Sequence, residues 1–130
     1  MDAVLYVVDL SRVTASYRDA LGLTVVDIRE GSTDLRCGGS TLHLVGVPPS
    51  VAEDIVIAVP PVRREEAPIK LVVPVDDLAA ARQRAAEHGG VVDGPAYEWA
   101  WKSSVRVDAV DPEGNVVQLV SRRPSRTPLM

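Results

Sequence analysis

The chain contains no phenylalanine and a single cysteine, Cys37, in 130 residues. One thiol cannot form an internal disulfide, which suits a reducing compartment, and a buried, unreactive side chain is the expectation for it. Aromatic residues are scarce: two Trp and three Tyr are the whole complement. No apolar run approaches the roughly 20 residues needed to cross a bilayer, so a membrane-spanning helix is excluded. The start, Met1-Asp2-Ala3-Val4, opens into strand-like sequence without the basic and apolar regions of a secretion signal. Cytoplasmic residence is the resulting expectation. Positive charge is not in excess either: 14 Lys and Arg against 18 Asp and Glu leave a net charge of −4. That balance offers no footprint for nucleic acid and leans toward a cationic or neutral small molecule. Only Arg122, Arg123 and Arg126 gather, just before and within a Pro-containing tail, 123–130, read as a solvated terminus.

What is present is ordinary globular composition, 46% hydrophobic and 25% charged, in a length that suits one domain. A faint internal repeat organises it. Val7-Val8-Asp9-Leu10 recurs as Val75-Asp76-Asp77-Leu78 at an offset of 68, each closing an apolar run and opening a helical pattern. Gly39 to Val45 recurs as Gly114 to Val120 at an offset of 75, each a turn glycine feeding an alternating strand. The extra residues of the second copy are assigned to an insertion holding Tyr97-Glu98-Trp99-Ala100-Trp101.

Periodicity and turn residues place the elements. Residues 2–46 read as a first unit: a strand from Ala3 to Val8, a helix capped by Asp9 or Ser11 and ended at Leu21-Gly22, then strands near 24–29, 33–37 and 41–46. Residues 69–122 read as a second unit: a strand from Ile69 to Val75, a helix from Asp77 to His88, and strands near 91–92, 104–109 and 116–121. Asp111-Pro112-Glu113-Gly114-Asn115 is a strong turn before the last strand. The linker, 47–68, is rich in Pro and charge; its apolar piece Ile55 to Val59 is either an extra strand or a packed segment.

The expected fold class is therefore α+β, two βαβββ modules paired into a curved mixed sheet around a cavity. If each helix covers one face, alternation leaves Asp2, Val4 and Tyr6 on the bare face with Thr41, His43 and Val45. Their counterparts are Lys70, Val72 and Pro74 with Val116, Gln118 and Val120. The aromatic cluster in the insertion either stacks on a flat ligand or anchors a loop or dimer contact. Glu98, Arg106 and Asp108 are candidate polar contacts. His43 reads as a cavity or core histidine, and His88 as a partner of its helix dipole.

The segments Val4-Leu5-Tyr6-Val7-Val8-Asp9-Leu10, Ser16-Tyr17-Arg18-Asp19-Ala20-Leu21-Gly22-Leu23 and Asp111-Pro112-Glu113-Gly114-Asn115-Val116-Val117-Gln118-Leu119 resemble the vicinal oxygen chelate superfamily. That superfamily includes glyoxalase I, extradiol dioxygenases, fosfomycin resistance enzymes and bleomycin resistance proteins. The resemblance spans residues 2 to 122 and implies the paired βαβββ fold. It also implies a homodimer, with modules paired either within a chain or by exchange between two. Metal-dependent members carry four converging ligands, and the resemblance puts those positions at Asp2, His43, Lys70 and Gln118. An ammonium has no lone pair to donate, so this set is degenerate and no cofactor is expected. The resemblance then implies a metal-free protein that sequesters an antibiotic or other secondary metabolite, with Tyr6, His43, Lys70, Tyr97, Trp99, Trp101, Arg106 and Gln118 as its ligand contacts. The alternatives are a lyase, isomerase or dioxygenase holding a divalent metal through Asp2, His43 and Gln118, and a dimerisation module with a filled cavity.

Overall fold

The computed structural model describes residues 1–122; the arginines at 123 and 126 lie outside the described residues. Strand β1 (Ala3–Val7) leads to helix α1 (Leu10–Ala15), which widens into a π turn over Ser16–Ala20. Strands β2 (Thr24–Arg29), β3 (Ser32–Cys37) and β4 (Ser40–Gly46) follow, and the sheet order is β1-β4-β3-β2 with β1 parallel to β4. After a short helix α2 (Pro49–Ala52), strand β5 (Leu71–Pro74), helix α3 (Leu78–Glu87) and β6 (Val91–Val92) open the second half. It closes with β7 (Trp99–Trp101), β8 (Ser104–Val110) and β9 (Val116–Ser121), in the order β5-β9-β8-β6 with β7 also on β8.

The two halves are copies in register as well as in sequence. Ala3 pairs with Leu42 in the first sheet and Leu71 with Val117 in the second, positions related by the same offsets of 68 and 75. Each helix begins behind an aspartate cap: the Asp9 carboxylate accepts from the Arg12 amide, and that of Asp77 from Ala79 and Ala80. The α+β expectation of two βαβββ modules holds. Two local readings change. The aromatic insertion is not a loop but strand β7, which shares the edge of β8 with β6. Ile55 to Val59 forms no strand, and Val56 and Val59 stand 91% and 74% exposed.

One continuous core joins the halves. Val7, Leu35, Leu42 and Leu44 of the first sheet, Val73, Val107, Val117 and Leu119 of the second, and Val13, Tyr17, Leu78 and Ala81 of the helices are all buried in it. Helix α3 packs against the π turn, so both helices lie between the covered faces of the two sheets. Burying these side chains is the main source of stability, at about 25 cal/mol per Å² of apolar surface.

Polar contacts then lock the halves together at the turn between β8 and β9. The Glu113 carboxylate, 6% exposed, accepts from the backbone amides of Val8 at 2.8 and 3.0 Å and of Asp9 at 2.7 Å. Helix α1 has no acidic residue in its own first turn, so Glu113 supplies the negative charge that the helix N-terminus favours. Asp111 folds the turn by accepting from the amides of Glu113 and Asn115, and its other oxygen accepts the Tyr17 hydroxyl proton at 2.9 Å. Burial, reinforced by the Asp111 charge, pushes the Tyr17 hydroxyl pKa well above its ordinary value. Gly114 has φ +90, and a Cβ there would lie 2.1 Å from the Val62 carbonyl oxygen. The linker is thus seated on this turn, where the Arg64 amide donates to the Gly114 carbonyl.

Candidate functional site

Alternation leaves each sheet with one covered face and one bare face. On the first sheet the bare face carries Val4, 54% exposed, and Tyr6, 67% exposed, beside His43 on the neighbouring strand. On the second it carries Val72, 50% exposed, with Gln118 and Arg106. These apolar side chains remain open in the single chain, whereas Val7, Leu44, Val73 and Leu119 behind them are almost wholly buried.

The polar groups of the first face form a chain of contacts. His43 Nδ1 lies 2.7 Å from Asp34 Oδ1, and Asp34 also accepts from Arg29 at 3.1 Å through both oxygens. The hydrogen bond from His43 holds the Asp34 carboxyl below the usual carboxylate range, against the opposing effect of burial, with Arg29 assisting. Arg29 also pairs with Asp27. Asp2 is held in place by the Thr41 amide, and its other oxygen stands 4.0 Å from His43 Nε2.

The second face is organised around cations. Lys70 donates to Asp108 at 2.8 Å, Arg63 of the linker makes two bonds to Asp93 and lies 3.9 Å from Asp108, and Arg82 of α3 reaches Glu98 at 2.8 Å. Arg106 donates to the Gln118 side-chain oxygen at 2.6 Å and stacks over the Trp101 ring, 4.2 Å from its centre. Lys102 approaches the same ring at 5.0 Å. Trp99 opposes Arg106 and Trp101 opposes Ser104 across the β7–β8 pair, so both indoles stand on the side of the sheet that carries Arg106. Trp101, but not Trp99, borders a groove of about 900 Å³ whose wall also includes Pro74, Val75, Ser104, Arg106 and Val120. A second hollow of about 260 Å³, sharing none of these residues, has Arg63, Lys70 and Asp108 in its wall.

The residues singled out from sequence therefore fall into two groups. Asp2, Tyr6 and His43 share the first bare face, while Lys70, Trp99, Trp101, Arg106 and Gln118 share the second. Neither hollow holding Lys70 or Arg106 has Asp2, Tyr6 or His43 in its wall. Tyr97 stands apart from both, 71% exposed on a short 3₁₀ turn. Cys37 is half-buried rather than buried, and burial raises its thiol pKa, which disfavours the reactive thiolate. The Arg63 and Asp93 pair, which fastens the linker across the second face, carried no signal in either local sequence; only the fold brings the two together.

The four positions at which a metal would be expected do not fit a divalent cation. Lys70 is an ammonium engaged with a carboxylate, the Gln118 oxygen already accepts from a guanidinium, and one nitrogen of His43 is occupied by Asp34. Among the described residues, no group of three or more His, Cys, Asp or Glu is arranged to hold a metal ion.

A family model described as the glyoxalase/bleomycin resistance protein/dioxygenase superfamily matches residues 2–119. No curated protein matches the sequence. Among solved structures the chain is similar to hypothetical protein SA1046 from S. aureus, at 17% identity and TM-score 0.66 over 93% of this chain and 91% of that one. It is similar to a glyoxalase/bleomycin resistance protein from Albidiferax ferrireducens T118, at 16% identity and TM-score 0.63 over 94% and 97%. The fosfomycin resistance protein FosX from Mesorhizobium loti aligns at 12% identity and TM-score 0.60 over 93% and 89%. At these identities the likeness is one of fold, and no helix of the described chain is long and apolar enough to cross a membrane.

Proposed function

We propose that this chain, which belongs to the glyoxalase/bleomycin resistance protein/dioxygenase superfamily, is a small-molecule binding protein that sequesters an organic ligand without using a metal. The observation that carries the proposal is the groove of about 900 Å³ walled by Trp101, Arg106, Pro74 and Val120. Its volume lies within the range of small-molecule sites, and its wall joins an apolar surface to a few directed polar groups. An indole beside a guanidinium suits a flat, conjugated molecule, because both planes stack on a ring. The physical step is capture: ordered water leaves the apolar wall, the ring packs on Trp101, and Arg106 fixes its orientation. An antibiotic or another secondary metabolite of this shape is the ligand we favour, met in the cytoplasm by a protein with a reduced thiol.

The donor chemistry at Asp2, His43, Lys70 and Gln118 argues against the metal-dependent lyase, isomerase or dioxygenase reading. We also infer that the protein is a homodimer. The exposed Val4, Tyr6, Val72 and Trp101 give two bare faces with more apolar surface than scattered single residues would, and a second copy covering them would enclose the site. Native mass spectrometry of protein purified without chelator tests all three points. The expected spectrum is a dimer that carries organic mass and no stoichiometric metal. A bound transition metal would overturn the metal-free reading, and a ligand-free monomer that binds nothing from a panel of aromatic metabolites would overturn sequestration. Trp101→Ala is expected to weaken ligand capture at least tenfold while leaving the fold intact, since the side chain is half exposed.

A further inference from the structure

We propose that the groove beside Trp101 selects a conjugated organic anion, such as an aromatic carboxylate; this rests on the binding function proposed above and names its ligand class. The argument is one of charge left unbalanced. Around the second sheet Lys70 meets Asp108, Arg63 of the linker meets Asp93 and Arg82 of α3 meets Glu98. Arg106, on the same sheet, has no carboxylate partner among the described residues. Its hydrogen-bond partner is the neutral oxygen of Gln118, and its Nε–H is buried with no hydrogen-bond partner among the described residues. A guanidinium left with a neutral acceptor and an aromatic face keeps its full charge for a molecule in the groove.

Two further cations line the same groove. Lys102 and Arg122 are exposed and make no ion pair among the described residues, and Asp76 is the acidic residue in the wall. Three cations therefore face one carboxylate, in a chain whose net charge is −4. The overall acidity leaned toward a cationic or neutral ligand; at the distance of contact the neighbouring charges decide, because charges further off than about 8 Å are screened by physiological salt. Lys102 also sits at φ +56, a left-handed conformation uncommon outside glycine, asparagine and aspartate. The turn that imposes it is pinned by the Ser104 hydroxyl, which donates to the Trp101 carbonyl at 2.8 Å. A two-residue hairpin between β7 and β8 demands such a φ at its first residue, and the turn holds the Lys102 ammonium 5.0 Å from the centre of the Trp101 ring. The apolar wall of Pro74, Val75, Val120 and Trp101 supplies the surface for the ring, and the three cations supply the counter-charge.

The test compares three isosteric probes, 2-naphthoate, 2-naphthamide and 2-naphthylmethylammonium. Each is titrated to 10 mM against ¹⁵N-labelled protein while the Trp101 indole N–H resonance, assigned by its loss in Trp101→Phe, is followed. The expected result is binding of 2-naphthoate at least tenfold tighter than the amide, with the ammonium weakest and the preference shrinking as salt rises. Arg106→Gln should abolish the preference. Lys102→Gln combined with Arg122→Gln alters exposed side chains only, so it should fold normally and reduce the preference severalfold. If the amide or the ammonium binds as well as the carboxylate, the anion class is wrong while small-molecule binding stands. If none of the three moves the resonance, the groove is not a binding site and the proposed function falls with it.

Discussion

Replacing Glu113 by alanine is expected to loosen the junction between the two halves of the molecule. In the folded protein its carboxylate accepts three contacts from two backbone amides, those of Val8 and Asp9, 105 and 104 residues away. Hydrogen bonds to a charged group contribute roughly 1.5–3 kcal/mol each, and an amide stranded away from water costs about as much again. Two donors at the lower end of that range give about 3 kcal/mol, since both amides are only partly buried and water can reach them after relaxation. Loss of the negative charge at the start of α1 adds up to about 1 kcal/mol. Glu113→Gln keeps one accepting oxygen, so it should cost about half as much. Urea unfolding monitored by circular dichroism reads the change as a shift in midpoint at constant slope, and for a chain of this size 3 kcal/mol corresponds to a fall in Tm of about 10 °C. Glu65→Ala is the control: its side chain is 75% exposed and its ion pair with Arg63 spans 3.9 Å, so a change below about 0.5 kcal/mol is expected. A loss of less than 1 kcal/mol in Glu113→Ala would refute the assignment of this carboxylate as the clasp between halves.

Tyr17→Phe should cost about 2 kcal/mol by removing the bond to Asp111, measured by the same unfolding curves. Because the folded protein holds the Tyr17 proton more tightly than the unfolded chain does, its contribution is complete below pH ~10 and is lost as pH rises beyond it. A titration of tyrosinate absorbance should accordingly contain a delayed component that Tyr17→Phe removes. Asp34 works at the opposite end of the scale: with its folded pKa depressed by His43 and Arg29, its contribution is present above pH ~4 and fades as pH falls through the lower folded value. Asp34→Asn should flatten that acid limb of the stability profile, and an unchanged profile would discount the Asp34–His43 contact. Gly114→Ala should unseat the linker and cost more than 1 kcal/mol, with faster proteolysis between residues 53 and 66 as the sign of it.

The fold could be read far ahead of the site because the two depend on different ranges of information. Helix caps at Asp9 and Asp77, the glycine at 22 with φ +80, and the alternation of 41–45 and 116–120 are local, and each has one structural meaning. The offsets of 68 and 75 even carry the strand register, since a register is a relation between two strands repeated in both halves. Strand β7 escaped because three residues are too few for a period of two to declare itself, and Trp-Ala-Trp reads equally as a loop cluster. The apolar run Ile55 to Val59 left two readings open, an extra strand or a packed segment, and the structure forms no strand there. The contacts among the candidate site residues lay furthest out of reach, because the links from Asp34 to His43, Lys70 to Asp108 and Arg106 to Gln118 arise only once separate strands are laid side by side.

The segments that carried the family resemblance turn out to be structural. Tyr17 at the end of the first helix and Asp111 and Glu113 in the turn before the last strand bind to one another's halves of the chain and bury their polar groups in doing so. Their chemistry is that of a clasp, and it constrains how the two modules pack on each other while leaving the bare faces of the sheets unconstrained. In the binding proposal, ligand choice would rest on side chains outside those segments, chiefly Trp101, Lys102 and Arg106, and on Gln118, which lies within one of them but faces the open side. The clasp therefore bears on how the two modules pack and says little about what the groove would hold. Charge and aromatic surface inside the groove are the quantities from which a ligand has to be argued.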